Sequence, residues 1–117
     1  MLPKENRLNI RTYYSEFRGT GKKLYHPLFS LYYRLQNNDQ TPKVNVIVSK
    51  KVAKEAVKRN RMRRLIHTAA ANLLTNLPPG FEGLFFIHKD FTELDSTQLT
   101  ADIKQMLLQG NIYQDDK

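Results

Sequence analysis

The chain has 117 residues, 40% of them hydrophobic, and its nineteen lysines and arginines outnumber eleven acids, giving a net charge of +8. This length is typical of a single domain with one modest core, so we expect residues 1–117 to form one domain. The absence of cysteine excludes disulfides and thiolate metal sites, and it favours a reducing compartment. No segment has the apolar run of a signal peptide or membrane span, which predicts a soluble, cytoplasmic protein without a membrane partner.

The first third of the chain predicts a short helix followed by two strands. Between Asn9 and Phe17, apolar residues recur three and four positions apart, which is the period of a helix. From Lys22 to Leu35, aromatic and branched residues predict a short strand and a longer one, divided at Pro27. Alternation in the longer strand predicts a core face and a partly wet face. The core face carries Phe29, Leu31, Tyr33 and Leu35, and the wet face carries Leu28, Ser30, Tyr32 and Arg34.

A polar turn and a third strand come before a long helix. Gln36–Pro42 predicts the turn, and the strand after it has Val44, Val46 and Val48 on its inner side. The helix is predicted from about Ala53 to Asn76, before the breakers Pro78, Pro79 and Gly80. One face of it forms an apolar stripe of Met62, Leu65, Ile66, Ala69, Ala70, Leu73 and Leu77. Ala53, Ala56 and Val57 lie off this stripe, so we expect the first turn to pack elsewhere or to start irregularly.

The last third of the chain predicts a buried strand and a final helix. Gly83–Lys89 is a continuous apolar run, which is typical of a strand covered on both faces. In the helix that follows, Asp95 and Gln98 have the spacing of a capping box, and Gly110 marks the end. We expect the tail at 111–117 to be frayed. The whole order predicts an α+β sandwich in which helices pack against one sheet.

The segment Lys50–Arg64 holds eight bases and a single acid, Glu55, so almost the entire net charge is concentrated here. Like charges three or four residues apart repel by roughly a few tenths of a kcal/mol per pair, so stability does not explain the pattern. The charge therefore predicts a polyanion partner, and arginine favours phosphate because its guanidinium makes two-point contacts. The helical projection places Lys54, Asn60, Arg61, Arg63, Arg64 and His67 outward, and Arg59 at the margin of the core stripe, near a sheet edge.

Two aromatic residues have positions suited to stacking on single-stranded RNA bases: Tyr14 on the first helix and Tyr32 on the outer face of the strand. The alternative is that both are core residues. The three histidines, His26, His67 and His88, lack the spacing of a zinc site. Asp90, Glu93 and Asp95 predict loop solvation and a helix cap. We therefore predict neither a catalytic centre nor a bound metal or cofactor in the polypeptide itself.

The string from Val48 to Ile66 combines several motifs at fixed spacing. Ser49, Lys50 and Lys51 come first, the pair Ala56 and Val57 next, and then Arg59, Asn60 and Arg61, followed by Arg63 and Arg64. This combination resembles the protein subunit of bacterial ribonuclease P. The resemblance extends upstream through Asn6–Leu8, Tyr14, Gly21 and the strand pattern Phe29, Leu31 and Tyr32, and it weakens after about residue 77.

The resemblance implies both a fold and a function. The fold has the order αβββαβα around a central four-stranded sheet, with a left-handed crossover between parallel strands, against the general right-handed rule. The function is that of an RNA-binding subunit that helps a catalytic RNA to remove the 5′ leader from precursor tRNA. In such a holoenzyme the RNA binds Mg²⁺ and performs the hydrolysis, while the protein binds the leader and lowers the Mg²⁺ requirement. We expect the free protein to be a monomer.

The resemblance also implies the site residues. Contacts to RNA are expected from Lys50, Lys51, Lys54, Lys58, Arg59, Asn60, Arg61, Arg63, Arg64 and His67, with the arginines, Asn60 and the lysines docking the catalytic RNA. The leader cleft is expected to contain Tyr14, Tyr32, Ser49 and Asn60, with Phe17 or Arg18 as a second stacking position. His67 stands where the family often has arginine, so its charge would depend on pH near neutrality.

Other functions were weighed against this one. A general RNA-binding or ribosome-associated protein with no cleavage partner would share the basic segment. A basic helix on an anionic membrane would keep a wide apolar face exposed, whereas a sheet readily covers the stripe from Met62 to Leu77. A DNA-binding helix-turn-helix would need a short helix just before the basic one, and the sequence predicts a strand there.

Overall fold

The computed structural model of the protein describes residues 2–17 and 21–114, which form four strands and three helices in the predicted order. The strands are β1 (Lys22–Tyr25), β2 (Phe29–Leu35), β3 (Lys43–Ile47) and β4 (Phe81–Ile87). Helix α1 is α-helical over Ile10–Thr12 and π-helical over Tyr13–Phe17. Helix α2 spans Ala56–Leu73 and continues as a 3₁₀ turn over Leu74–Asn76, and α3 spans Ser96–Gln109.

The four strands form one mixed sheet in the order β1-β2-β4-β3. Strand β2 pairs antiparallel with both β1 and β4, whereas β3 pairs parallel with β4. Parallel neighbours cannot be joined by a tight turn, so α2 makes the connection from β3 to β4. The predicted α+β class and four-stranded sheet are confirmed, and the left-handed sense of the crossover stays a prediction.

The inner face of the sheet packs against α2 and α3 and holds the main core. The predicted stripe of α2 is confirmed, since Met62, Ile66 and Ala69 are fully buried. On β2, Phe29, Leu31 and Tyr33 are buried as predicted, together with Val44, Val46 and Val48 on and after β3. Leu35 was also predicted to be in the core, but it is 55% exposed because β2 ends there.

The outer face of the sheet is covered at its centre by the N-terminal segment. Leu8 and Tyr13 pack on Leu84 of β4, and these three residues form a second, smaller core. The prediction of a strand covered on both faces is therefore confirmed for β4. Ser30, predicted to be partly wet on this face, is buried instead, and a hydrogen bond of 2.7 Å with the His88 ring satisfies its hydroxyl.

Helix α2 starts three residues later than predicted, after an irregular turn. Ala53 lies before the helix and is buried, whereas Val57 in its first turn is exposed. The Arg59 guanidinium donates from Nη1 to the carbonyl oxygens of Ala53 (2.9 Å) and Lys54 (2.7 Å). The off-stripe position of this first turn thus reflects an irregular start, which Arg59 holds in place.

Helix α3 has the predicted cap. The Asp95 carboxylate accepts a hydrogen bond from the backbone N–H of Gln98 at 2.8 Å, which satisfies one of the first-turn donors. The side chain of Gln98 approaches Asp102 at 3.5 Å, so the structure shows only the first half of a capping box. The helix ends at Gly110 as predicted.

The chain after α3 is packed as far as residue 114. Ile112 is buried, and the backbone N–H of Gln114 donates to the carbonyl oxygen of Asn76. The Asn76 side chain donates in return to the Gln114 carbonyl at 2.8 Å. Residues 111–114 are thus held to the end of α2, contrary to the expected fraying, and 115–117 lie outside the described residues.

Arg34, on the outer face of β2, joins the end of α1 to the sheet. Its Nε donates to Glu82 on β4 at 2.5 Å, and its Nη2 donates to Glu16 on α1 at 3.0 Å. The Glu82 side chain is only 12% exposed, whereas that of Glu16 is 54% exposed. The inner pair is therefore shielded from water, and the outer pair is largely solvated.

We expect Arg34→Gln to lower the free energy of unfolding by roughly 1 to 3 kcal/mol, because it leaves the shielded Glu82 carboxylate without its ionic partner. Glu16→Gln removes only the solvated pair and should cost less than about 1 kcal/mol. Urea unfolding of both variants measures the difference. Equal losses would mean that the Arg34–Glu82 pair is not what stabilises this junction.

Candidate nucleic-acid interface

The basic segment occupies the turn after β3 and the first half of α2. Most of its polar side chains are exposed: Lys50, Lys51, Lys54, Lys58, Asn60, Arg61 and Arg64. Arg59, Arg63 and His67 are half-buried. The predicted RNA-docking residues therefore lie together on one projecting part of the molecule, although their contacts with RNA stay a prediction.

Three of the arginines are held in place by other groups of the protein. Besides the bonds of Arg59 to the preceding turn, Arg61 donates from Nε to the Thr92 carbonyl at 2.8 Å. Arg63 donates from Nη1 to the Asn60 side chain at 2.7 Å. A guanidinium has several N–H donors in a planar fork, so each arginine keeps donors that can reach a phosphate.

Few acids oppose these bases. Lys58 lies 3.8 Å from Glu55 and 4.0 Å from Asp90, at the edge of ion-pair distance. The backbone N–H of Thr92 lowers the pKa of Asp90, with smaller contributions from the Thr92 side chain and Lys58. Exposed pairs of this kind contribute little, so Lys58 can exchange them for a phosphate.

One side of α2 borders an open groove of about 430 Å³, which we call the basic groove. Its lining consists of Arg7, Val57, Asn60, Arg63, Arg64 and His67. Arg7 was not predicted as a site residue, although it lies in the matched segment Asn6–Leu8. Arg7 lies here because the N-terminal segment runs beside β3, where the backbone of Arg7 forms an isolated parallel β-bridge with Val44. This pairing joins residues far apart in sequence, so no local pattern indicates it.

The surroundings of His67 favour its uncharged form in the free protein. Partial burial lowers the pKa of His67, and the positive charges of Arg7 and Arg63 lower it further. Its Nε2 lies 3.3 Å from Oδ1 of Asn45, whose Nδ2 donates to the Leu8 carbonyl at 2.9 Å. A neutral ring with its hydrogen on Nε2 fits this contact, because an amide oxygen only accepts.

Asn45 also lines a second open groove, of about 820 Å³, which we call the N-terminal groove. The groove is bordered by Leu8, Asn9, Ile10, Arg11, Tyr14, Ser15 and Asn45. Tyr14 is 48% exposed, so it is not a core residue. Arg11 and Asn45 were missed in the sequence, although Asn45 interrupts a run of valines as a polar residue on the outer side of β3.

The two predicted stacking residues are joined through a third aromatic ring. The Tyr13 ring lies edge-on to Tyr14 at 5.0 Å and to Tyr32 at 5.7 Å between centroids. Phe86 completes the cluster, 5.5 Å from Tyr13 and 5.1 Å from Tyr32. We call these four residues the aromatic cluster. Phe86 was missed because it lies within a continuous apolar run that predicts only burial.

The remaining cleft residues occupy separate positions. Ser49 is exposed after β3, and its carbonyl oxygen accepts from the N–H groups of Val52 and Ala53. Asn60 lines the basic groove. The side chain of Phe17 and the whole of Arg18 lie outside the described part of the chain, so the choice of second stacking residue stays open.

The arrangement is suited to binding RNA. Cationic side chains line the basic groove, Asn45 joins it to the N-terminal groove, and aromatic rings follow, which supplies phosphate contacts and stacking surfaces in series. Within residues 2–17 and 21–114, no group of three or more His, Asp or Glu side chains is close enough to hold a metal ion. The same part of the chain contains no helix long and apolar enough to cross a bilayer.

Known protein sequences are similar to this chain over nearly its whole length. Residues 2–110 match the sequence family Ribonuclease P. The ribonuclease P protein component of Microcystis aeruginosa is 32% identical over 115 residues, covering 95% of both chains. That of Synechococcus elongatus is 33% identical over 118 residues, covering 95% of this chain and 94% of the other.

Solved structures show the same fold. The RNase P protein of Staphylococcus aureus superimposes with a TM-score of 0.77 at 15% identity, covering 94% of this chain and 99% of the other. That of Thermotoga maritima in complex with 1-(4-fluorophenyl)-2-thiourea gives a TM-score of 0.70 at 21% identity, covering 88% of this chain and 94% of the other. The family match over nearly the whole chain places this protein in the bacterial ribonuclease P protein family, as the protein component of a tRNA-processing ribonucleoprotein endoribonuclease.

Proposed function

We propose that the protein binds the catalytic RNA of ribonuclease P through those bases of the basic segment that lie outside the basic groove. We propose that it binds the 5′ leader of precursor tRNA through the two grooves and the aromatic cluster. The observation that carries this proposal is the continuity of the site. Asn45 contacts His67 of the basic groove and also lines the N-terminal groove beside Tyr14. A single strand leaving the region of α2 would therefore meet the exposed Tyr14 ring next, and then the half-buried rings of Tyr32 and Phe86.

The bases of α2 divide between two sides of the helix, as two RNA partners would require. Lys58 and Arg61 face the loop at residues 90–92, where Lys58 approaches Asp90 and Arg61 bonds to Thr92. Arg63 and His67 face the opposite direction, toward Arg7. We assign the first side to the catalytic RNA and the second to the leader. The left-handed crossover belongs to this proposal, since its sense sets which face of the sheet α2 covers.

The proposed decrease in the Mg²⁺ requirement follows from the positive charge of the protein. Two RNAs brought together repel through their phosphates, and a protein with a net charge of +8 replaces part of the divalent counterion atmosphere. In this proposal the RNA subunit holds the catalytic Mg²⁺ and performs the hydrolysis, while the protein, a monomer when free, binds no metal itself. Leader contacts raise the affinity for precursor tRNA above that for mature tRNA.

Reconstitution tests the proposal. The purified protein is added to a bacterial ribonuclease P RNA at low Mg²⁺, and leader removal from precursor tRNA is measured beside binding of mature tRNA. We expect faster cleavage and a selective gain in precursor affinity. A protein that binds RNA but gives no stimulation would instead be a general RNA-binding protein.

The salt dependence of precursor binding should report the phosphate contacts. If the protein neutralises about six phosphates, log affinity should fall against log salt with a slope of about −4 to −5. Arg64→Gln removes one exposed cation, so we expect the slope to become shallower by about 0.7 to 0.9 with an unchanged melting temperature. A slope that Arg64→Gln leaves unchanged would remove Arg64 from the interface.

Arg59→Gln is the matched contrast to Arg64→Gln, because it removes the same charge from the same helix. It also removes the two hydrogen bonds to the turn before α2. We expect it to lower both RNA affinity and the free energy of unfolding, the latter by roughly 1 kcal/mol. Thermal unfolding and filter binding distinguish the two variants, and an undiminished stability would contradict the structural role of Arg59.

His67 should make RNA binding depend on pH. Phosphates near the ring favour its charged form, so binding raises its pKa and takes up a proton. The affinity of the unmodified protein for RNA should therefore increase as the pH falls from about 7.5 to about 5.5, and that of His67→Gln should change less.

In the free protein the lowered pKa of His67 has the opposite effect on stability. The contribution of His67 to the free energy of unfolding is fully present above about pH 6.5 and is lost as the pH falls below it. Binding and urea unfolding at both pH values measure the two effects, and parallel pH profiles for the two proteins would exclude His67 as their source.

A further inference from the structure

The outer face of the sheet continues beyond the aromatic cluster to the edge strand β1. In the β1–β2 register, Lys23 lies opposite Tyr32, and Tyr25 lies opposite Ser30. Directly paired residues point to the same side of a sheet, so Lys23 and Tyr25 share the outer face with Tyr32. Neither was predicted as a site residue.

Lys23 and the two tyrosines form one unit. The Nζ atom of Lys23 lies 4.5 Å from the centre of the Tyr25 ring and 4.8 Å from that of Tyr32. A solvent-accessible lysine is charged at physiological pH, and the side chain of Tyr32, followed by that of Tyr25, raises the pKa of Lys23 further. A cation is thus held beside two aromatic rings.

The core does not account for this arrangement. Tyr25 is 74% exposed, so its ring adds little buried area. An exposed lysine commonly protects an edge strand against pairing with other chains. Lys22, which is exposed on the opposite face of β1, already provides this protection. Protection of the edge therefore does not explain why Lys23 lies across Tyr25 and Tyr32.

The register also gives the distance across the face. A row of paired residues runs from Tyr25 on β1 through Ser30 and Phe86 to Ile47 on β3. Three strand spacings of about 4.8 Å make this row about 14 Å long, the length of about four nucleotides stacked at about 3.4 Å. The basic groove and the N-terminal groove border the β3 end of this row, and Tyr25 lies at its β1 end.

We propose that Lys23 and Tyr25 form a second nucleotide subsite, which binds the part of the leader that extends past the aromatic cluster. The Tyr25 ring stacks on a base, and Lys23 pairs with a neighbouring phosphate. The subsite rests on the leader-binding function proposed above and adds a direction to it, with the leader crossing the sheet from β3 to β1. Stacking and a point charge do not read base edges, so the subsite senses leader length and tolerates different sequences.

The test uses the holoenzyme, reconstituted with a bacterial ribonuclease P RNA, and precursor tRNAs with leaders of zero to about ten nucleotides. We expect the affinity of the unmodified protein to rise with leader length until the leader spans the sheet. Lys23→Gln and Tyr25→Ala should each lose about fivefold or more with the longest leaders and nothing with the shortest. Tyr25→Phe, which keeps the ring, should retain the affinity.

Lys22→Gln is the matched control, since it removes the same charge from the same strand on the opposite face. It should bind every leader as the unmodified protein does. Equal losses for Lys23→Gln at every leader length, including zero, would assign Lys23 to another RNA surface and overturn the subsite. Undiminished affinity of both Lys23→Gln and Tyr25→Ala for long leaders would also overturn it. If the unmodified protein itself gains nothing from a leader, the proposed leader function fails, and the subsite with it.

Discussion

The parallel pairing of β3 with β4 is the constraint on which the other features depend. It requires a long crossover, and α2 fulfils this role by burying Met62, Ile66 and Ala69 against the inner face of the sheet. Because these three residues fill the face of α2 that packs on the core, the basic residues at the intervening positions point away from the core. The crossover thereby places the most charged segment of the chain directly beside the β3 edge, where Arg59 holds the turn that enters the helix.

The second constraint is that β4, at the centre of the sheet, is covered from both sides. Leu8 and Tyr13 shield Leu84 on the outer face, and the N-terminal segment bonds to β3 through the carbonyl of Val44. Two grooves stay open beside this cover: the N-terminal groove along α1, and the basic groove between Arg7 and α2. The Arg34 bridge to Glu82 and α1 fixes the position of the cover, and with it the shape of the grooves.

Charge dominates the surface around His67, whereas ring packing dominates the surface around Tyr32. Around His67, partial burial and then the positive charges of Arg7 and Arg63 lower the pKa of the ring, so a polyanion that binds there would relieve part of an existing repulsion. Around Tyr32, the rings pack edge to face and are held in position before any ligand arrives. In the proposed function, charge would provide attraction over distance, and the prearranged rings would limit the conformational entropy lost when bases stack on them.

Periodicity and charge in the sequence determined the order of elements, the buried stripe of α2, the cap at Asp95 and the basic segment, because each depends on residues a few positions apart. Only the tertiary structure decided that Arg7 and Asn45 border the site, that Ser30 is buried, and that Lys23 lies over Tyr25 and Tyr32. It also decided that Arg59 donates hydrogen bonds to the turn before its own helix. These features depend on which strands pair and in what register, and such long-range pairing leaves no local period in the sequence.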